Sequence, residues 1–530
     1  MKKLLYIIII LLIVDNAAFG LGGSPEILPD GPIGFGTETR AAYGGTGDPA
    51  ICIVDELGEK DGSNDLDYDA ASYTVPVFKG SLWECVEGLD TTSGGTYDGG
   101  TVAAGQGKII LFEVSGTIQE NGDDADNNDF TYQLDNYTSI YGQTAPSPGI
   151  TLRNLVLRMT DVHDILIQHL RGRMDGPPSV AYGVHKSFFI AALNSEQSAY
   201  NIVLDHLSSS WGADGNITIF RYASSGIISD ITISNCIIAE GRENMGLSAE
   251  EANNSKNSNV SEANDVLFFG NLISNSRWRS PRIDAGSAVI LNNYIYNNKD
   301  GGTMIEGDDY DLTAVSIVAN VQEGGPMSGT YTSLKYPNFG LQPWTTPLTD
   351  HNIYLFGNIS DSGSQANSSD WLAPEFQVDV RKGNTTVYAD VITNETFAVR
   401  VTGETPADDA PLWPTSVSYV SAANLKTYIT QNVGAWPAAR DALDARLINE
   451  MNSDSGPSSP VDGAPSSAEW TAIALDANGP TAVSIPASPH TVQGSGYTNL
   501  EEWIHGTNVE TPIDPLVDAG KTKILRGTLR

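Results

Sequence analysis

From about residue 150 onward, short runs alternate β-branched or other apolar residues with polar ones. Each run closes in a polar or Asn-containing turn and is followed by a second short apolar stretch. Seven such runs start at Asp164, Asn201, Asp230, Asp265, Ala288, Ala314 and Asn352, spaced by about 22 to 39 residues. A period of two marks strands with one buried and one exposed face. The shortest interval fits one bare coil of three short strands, and the longer intervals hold inserted loops. The pattern predicts an all-β fold, a single-stranded parallel β-helix. The chain has 530 residues, and single globular cores stop growing near ~250–300. A solenoid escapes that limit because each coil buries its inward face against a neighbour. Asn at the turns suits a left-handed backbone, and stacking of Asn side chains between coils satisfies turn groups. A β-sandwich, the rival all-β fold, needs closely spaced Asn-Gly or Asp-Gly hairpin turns, which are scarce here.

The pattern divides the chain. Residues 1–20 read as an export signal: Lys2 and Lys3, an apolar run over residues 4–14, then small residues up to Gly20. That run is shorter than the ~20 residues of a membrane span, and no later segment qualifies; a retained anchor is the alternative. Residues 21–405 form the solenoid, with 21–150 as its N-terminal cap and first coils, including the strand that starts at Lys108. Residues 406–452 change to helical spacing, with helices predicted over 422–431 and 437–451, the second opening on Pro437. Residues 453–467, rich in Ser, Pro and Gly, read as a linker. In the 468–530 extension, expected to pack on the solenoid, Thr498 and Glu501 make a capping box.

Composition narrows the function. A net charge of −36 excludes nucleic acid as the target, since phosphate binding needs clustered cations. The few cations are uneven: Arg153, Arg158, His169, Arg171, Arg173, His185 and Lys186 crowd one stretch, and Arg277, Arg279 and Arg282 another. Three cysteines rule out a disulfide-built scaffold. Cys52 and Cys85 are either a pair or two buried thiols, and Cys236 lies in a core strand. The acidic loop from Asp123 to Asp129 is a cation site or a solvated run.

Several segments resemble the pectate lyases, a family of parallel β-helix polysaccharide lyases, in its secreted bacterial form. They are Gly34-Phe-Gly36 with Gly44-Gly45, Gly80-Ser-Leu82, and the stretch from Phe112 to Ile118. Then come the stretch from Tyr141 to Pro146, Leu204-Asp-His-Leu-Ser-Ser-Ser-Trp211 with Asp214, and Asn275-Ser-Arg-Trp-Arg-Ser-Pro-Arg282. Two late stretches, from Gly434 to Asp444 and from Gly496 to Glu501, fit the family's ending. The resemblance spans about residues 30 to 505 and implies a right-handed β-helix that cleaves pectate or a related polyuronate by β-elimination.

That chemistry removes the proton on C5 of a uronate and expels the oxygen on C4, so the site must neutralise the uronate carboxylate. The resemblance assigns the base to Arg279, in the Arg279-Ser-Pro-Arg282 element. A guanidinium gives up its proton only in a dry, cation-rich site; the plain alternative for Arg279 is an ion pair. Substrate-binding candidates are Arg282, Arg277, His206, Lys186 and Arg242. Ca2+ is implied as cofactor, with Asp214, Asp205 and Asp175 as its candidate ligands. The chain also departs from the family. Gly215 stands where relatives often have Glu, Asp284 where many have a second arginine, and His185 and Ser187 where calcium-binding aspartates are common. The expected partner is an acidic polysaccharide met by a secreted monomer, with neither nucleic acid nor a membrane span. Two alternatives stay open: a β-helix glycoside hydrolase using Asp205, Asp214 and Asp230, and a non-catalytic carbohydrate-binding solenoid.

Overall fold

The computed structural model describes residues 28, 34–58, 66–69, 73, 75–119, 131–174, 186–222, 226–243, 255–299, 302–307, 314–327, 339–343, 352–360, 365–366, 378–382, 385–387, 399–401, 405–414, 417–462, 465, 469–471, 481–493 and 496–506. The export signal, the acidic loop, Asp175 and His185 lie outside these residues.

The alternating runs fold into a parallel β-helix whose strands stack in three ladders. Ladder 1 runs through Val156–Thr160, Phe188–Ala192, Ile217–Arg221, the leading parts of Ser258–Phe269 and Arg282–Leu291, and Met304–Gly307. Ladder 2 takes His163–Gln168, Ser198–Asp205, Ile227–Ser234, the trailing parts of the same two long strands, Ala314–Val318 and Asn352–Phe356. Ladder 3 holds Ile150–Arg153, Leu170–Arg173, Ser208–Ser210, Ile237–Ala239, Leu272–Ser274, Tyr294–Tyr296 and Val321–Glu323. The seven runs predicted from sequence are successive rungs of ladder 2, with Ile165, Ile202, Ile231, Val266, Ala288, Val315 and Ile353 in register. The run placed at Ala288 starts one residue late, because Asp265 is in step with Ser287 rather than Ala288.

Register converts the pattern into a core. Ile165, Ile202, Ile231, Val266, Ala288 and Val315 are all fully buried, and each large apolar side chain so buried contributes about 1.5–3 kcal/mol against its entropy cost. The turn from ladder 2 to ladder 3 is a left-handed column: His169, His206, Asn235, Gly270, Asn292 and Ala319 all have positive φ. One residue further on, Asn271, Asn293, Asn320 and Asn358 form a buried ladder, each Nδ2 donating to the next Oδ1 at 2.8, 3.1 and 2.9 Å. The predicted stacking of Asn side chains is therefore present. Cys52 and Cys85 form a disulfide, and Cys236 is a buried free thiol.

Terminal segments cover two of the three outer faces. Ala41 and Ala42 from the N-terminal side, with Val483, Leu500 and Ile504, close over the apolar outer residues Leu166 and Val203 of ladder 2. The helices Ala422–Asn432 and Ala442–Ser453 press Leu425, Ile429, Leu443 and Leu447 against Ile237, Ala239 and Leu272 of ladder 3. A buried ionic clasp fixes the second helix, where Arg173 donates to Asp441 at 3.1 Å and to Asp444 at 2.7 Å. Arg171 donates to the Pro148 and Ala439 carbonyls at 2.9 and 3.2 Å. This helix begins after Asp441, whose carboxylate caps the Asp444 N–H at 2.8 Å, rather than at Pro437. The side-chain cap decides the start because it satisfies a helix N–H that proline leaves unaddressed. The capping box is present as predicted: the Thr498 N–H donates to Glu501 Oε2 at 2.7 Å and the Glu501 N–H to Thr498 Oγ1 at 3.2 Å. The expected linker is docked instead, with Tyr296 Oη donating to the Ser455 carbonyl at 2.6 Å and Val461 pairing with Arg242.

Removing one rung of the amide ladder orphans its neighbours, so Asn293→Ala costs about 1–3 kcal/mol of stability. Arg173→Ala removes the closer cationic partner of two buried carboxylates, leaving Arg171 at 3.6 and 3.9 Å, and costs about 3 kcal/mol. Urea unfolding midpoints check both, and an unchanged midpoint for either would remove its structural role.

Candidate functional site

The turns that lead from ladder 3 back into ladder 1 collect the chain's useful cations. A buried polar column sets their geometry. Asn216 Nδ2 donates to the Ala239 carbonyl at 2.9 Å, Ser276 Oγ to Asn257 Oδ1 at 2.7 Å, and Asn257 Nδ2 to Ser280 Oγ at 3.0 Å. Successive coils are thereby held at fixed height, and the residues beside this column line up: Lys186, Asp214, Lys256 and Arg279.

Asp214 is the centre of the group. Lys256 Nζ donates to its Oδ1 at 2.7 Å, and Lys186 Nζ lies 3.3 Å from its Oδ2. Burial alone would raise the Asp214 pKa, but Lys186, Lys256 and then Arg279 outweigh it and hold the carboxyl well below its usual range. The same environment acts oppositely on Lys256: burial, with the like charge of Arg279 added, pushes it down to about 8 against the pull of Asp214. Lys186 also lies 4.8 Å from the centre of the Phe189 ring, a cation–π distance. Arg279 is half-buried, with φ +61, a left-handed conformation that costs a non-glycine residue about 1–3 kcal/mol. Its carbonyl accepts from the Ser258 N–H at 2.8 Å, which helps to hold that conformation.

From this edge the outer face of ladder 1 leads away as a floor. Arg158, Phe189, Thr218, Asn259 and Arg282 occupy equivalent outward positions on consecutive coils. Thr218 and Asn259 are buried, while Arg158 and Arg282 are half-buried. Arg282 donates to Asn259 Oδ1 at 3.0 Å and pairs with Asp284 at 3.0 Å.

The other sequence candidates are used elsewhere. Asp205 is buried and accepts from Gln168 at 3.0 Å, Ser234 at 2.7 Å and Asn235 at 3.1 Å, with His206 Nδ1 at 2.8 Å. His206 stacks on His169 with ring centres 4.8 Å apart, inside the turn from ladder 2 to ladder 3. Burial, with His206 beside it, pushes His169 down to about 3, so it is neutral near pH 7. Neither Asp205 as a metal ligand nor His206 as a substrate contact matches this placement. Arg242 is fully buried and donates Nε to the Trp211 carbonyl at 2.6 Å, so it too belongs to the scaffold. Arg277 is tied to Glu243 by a short ion pair, which removes it as an uncommitted contact. Arg171 and Arg173 serve the helix clasp. The hydrolase alternative needs Asp205, Asp214 and Asp230 together, yet Asp205 ends the strand Ser198–Asp205, Asp214 lies between the strands of ladders 3 and 1, and Asp230 lies within Ile227–Ser234. A hollow of about 410 Å³ at the edge of ladders 1 and 2 holds Arg221 and Glu262, which neutralise each other.

Lys256 was missing from the sequence candidates. It is the only Lys or Arg between Glu243 and Ser276, in an Asn- and Ser-rich stretch without strand alternation. Only the register, with Lys256 bridged to Trp278, puts it beside the Arg279 coil.

The donors do not suit calcium. Calcium takes 6–8 oxygen ligands, whereas each oxygen of Asp214 already faces an ammonium. Among the described residues, no three His, Cys, Asp or Glu side chains group to hold a metal. At Gly215, φ is +126 and an added Cβ would meet Thr218 Oγ1 at 2.6 Å, so a second acid is blocked there.

No protein-family model matches the chain. Among curated proteins, it is 25% identical over 421 residues to a probable pectate lyase C of Aspergillus flavus, covering 75% of this chain and 83% of that protein. A probable pectate lyase C of Aspergillus oryzae matches with the same identity and coverage. Among solved structures, a pectate lyase from Acidovorax avenae overlays 79% of this chain and 98% of its own, at 12% identity and a TM-score of 0.39.

The perturbed lysine can be checked directly. Reductive methylation followed by carbon-13 NMR is expected to find one lysine titrating near 8, absent from Lys256→Arg. In Asp214→Asn its pKa falls further, because the carboxylate that favours the ammonium is gone. A Lys256 signal that titrates above 10 would contradict this electrostatic picture.

Proposed function

We propose that this chain, a relative of the pectate lyases by sequence, is a polysaccharide lyase that cleaves polygalacturonate or a related polyuronate by β-elimination. The observation that carries the reading is the grouping of Arg279, Lys186 and Lys256 around the single carboxylate of Asp214. Among the described residues, three cations around one anion leave a local excess of positive charge on a chain that is otherwise strongly acidic.

In this reading a uronate lies along the outer face of ladder 1, its carboxylate against the ammonium groups and Arg282. Neutralising that carboxylate makes the C5 proton more acidic and stabilises the enolate-like charge that develops. Arg279 takes the proton from C5, the C5–H electron pair becomes the C4–C5 double bond, and the C4–O bond breaks. The departing oxygen acquires a proton from solvent, and the new non-reducing end is 4,5-unsaturated. The arginine is helped by its setting: Lys256 beside it is buried and carries charge of the same sign, which favours a neutral guanidine. Calcium bound with the substrate would supply additional neutralisation of the uronate.

Export is part of the same proposal. Lys2, Lys3 and the apolar run of residues 4–14 support a leader, and no helix among the described residues is long and apolar enough to cross a membrane.

Incubation with polygalacturonate is expected to produce ultraviolet absorbance from the unsaturated product. Arg279→Ala is expected to lower kcat by about 100-fold or more, in line with loss of a general base, while polymer binding persists. New reducing ends without absorbance would instead select a hydrolase. Binding without cleavage by the parent would select the non-catalytic alternative.

A further inference from the structure

We infer that Lys186 and Lys256 replace a protein-bound calcium ion at this site, so that cleavage proceeds without added divalent metal. The inference rests on the lyase reading and concerns how that site neutralises its substrate.

The geometry supports it in three ways. First, Asp214 is occupied on both oxygens, by Lys256 Nζ at 2.7 Å and Lys186 Nζ at 3.3 Å. A divalent cation entering there would have to displace two ammonium groups or sit within a few ångströms of both, where like charges repel strongly. Second, the coil positions that would bring more acid are closed. Ser187 is buried, and Gly215 cannot gain a side chain without striking Thr218. Third, the lysines are held as parts of a site. Both are buried, with Lys186 packed on Phe189 and Lys256 bridged to Trp278.

An ammonium group can also do the work required. With three N–H donors apiece, each lysine can bind Asp214 and a substrate carboxylate at once. That linkage of carboxylate, cation and carboxylate is what a bridging metal would provide. Asp214 thus becomes a positioning residue that keeps two flexible side chains aimed at one spot, and it offsets part of their mutual repulsion.

The test uses the purified full chain and polygalacturonate, both stripped with EGTA. Formation of unsaturated product is expected to stay within about twofold when calcium is restored, and calorimetric titration of the protein with calcium alone is expected to give no binding heat. Lys186→Gln is expected to lower kcat/KM by about tenfold, chiefly through KM, as loss of a charge-assisted contact predicts. Lys186→Asp, which sets a second carboxylate beside Asp214, is expected to bind calcium in the calorimeter. The inference is overturned if the parent is inactive in EGTA and recovers with calcium, if it binds calcium by itself, or if Lys186→Gln matches the parent. Absence of unsaturated product under every condition would instead defeat the lyase reading.

Discussion

In-register parallel stacking governs everything else in this molecule. Adjacent strands lie about 4.8 Å apart, so each side chain rests on its counterpart from the previous coil. Apolar columns gain from this arrangement, and so do Asn columns, whose amides donate on one side and accept on the other. Stacked charges of one sign do not. Cations on consecutive coils need an anion among them, and Asp214 fills that position between the Lys186 and Lys256 coils. The site is therefore a direct consequence of the repeat: a local charge pattern that the stacking distance brings within ion-pair reach.

The same stacking leaves three long outer faces, and two of them are apolar enough to need covering. The N-terminal residues and the late chain do this for ladder 2, and the two helices do it for ladder 3. The clasp of Arg171 and Arg173 with Asp441 and Asp444 is costly to desolvate, and a buried ion pair of this kind adds little net stability. Its contribution is specificity of docking, since a shifted helix would bury the same charges without partners. The floor of ladder 1 instead carries Arg158, Asn259 and Arg282, which suits it to contact with a polar polymer.

How much of this was legible in the sequence follows from the same physics. Period-two alternation and the Asn turns are local signals that repeat, so the rungs of ladder 2 could be aligned in advance to within one residue. The capping box of Thr498 and Glu501 is equally local. The fate of each cation is not local. Arg171, Arg173, Arg242 and Arg277 look like an exposed basic face when read in order, yet their partners come from segments as distant as Asp441 and Asp444 or from a neighbouring coil. Lys256 shows the converse, a residue without a motif that becomes central because of the coil on which it lies.

An acidic chain that acts on an acidic polymer is consistent once distance is considered. Charges on exposed surfaces are screened within ~8–10 Å at moderate ionic strength, so the net −36 is not what a docked sugar acid experiences. Close to ladder 1 the balance among the described residues is reversed by three cations around the Asp214 carboxylate, and there the burial of Lys186 and Lys256 weakens solvent screening. Burial also has a limit, since it has already pushed Lys256 down to about 8. Deeper placement would neutralise the ammonium and forfeit the charge that the substrate requires, whereas shallower placement would surrender it to water. The position of Lys256, buried but pinned to Asp214, lies between these two losses, and the carboxylate is what makes that depth tolerable.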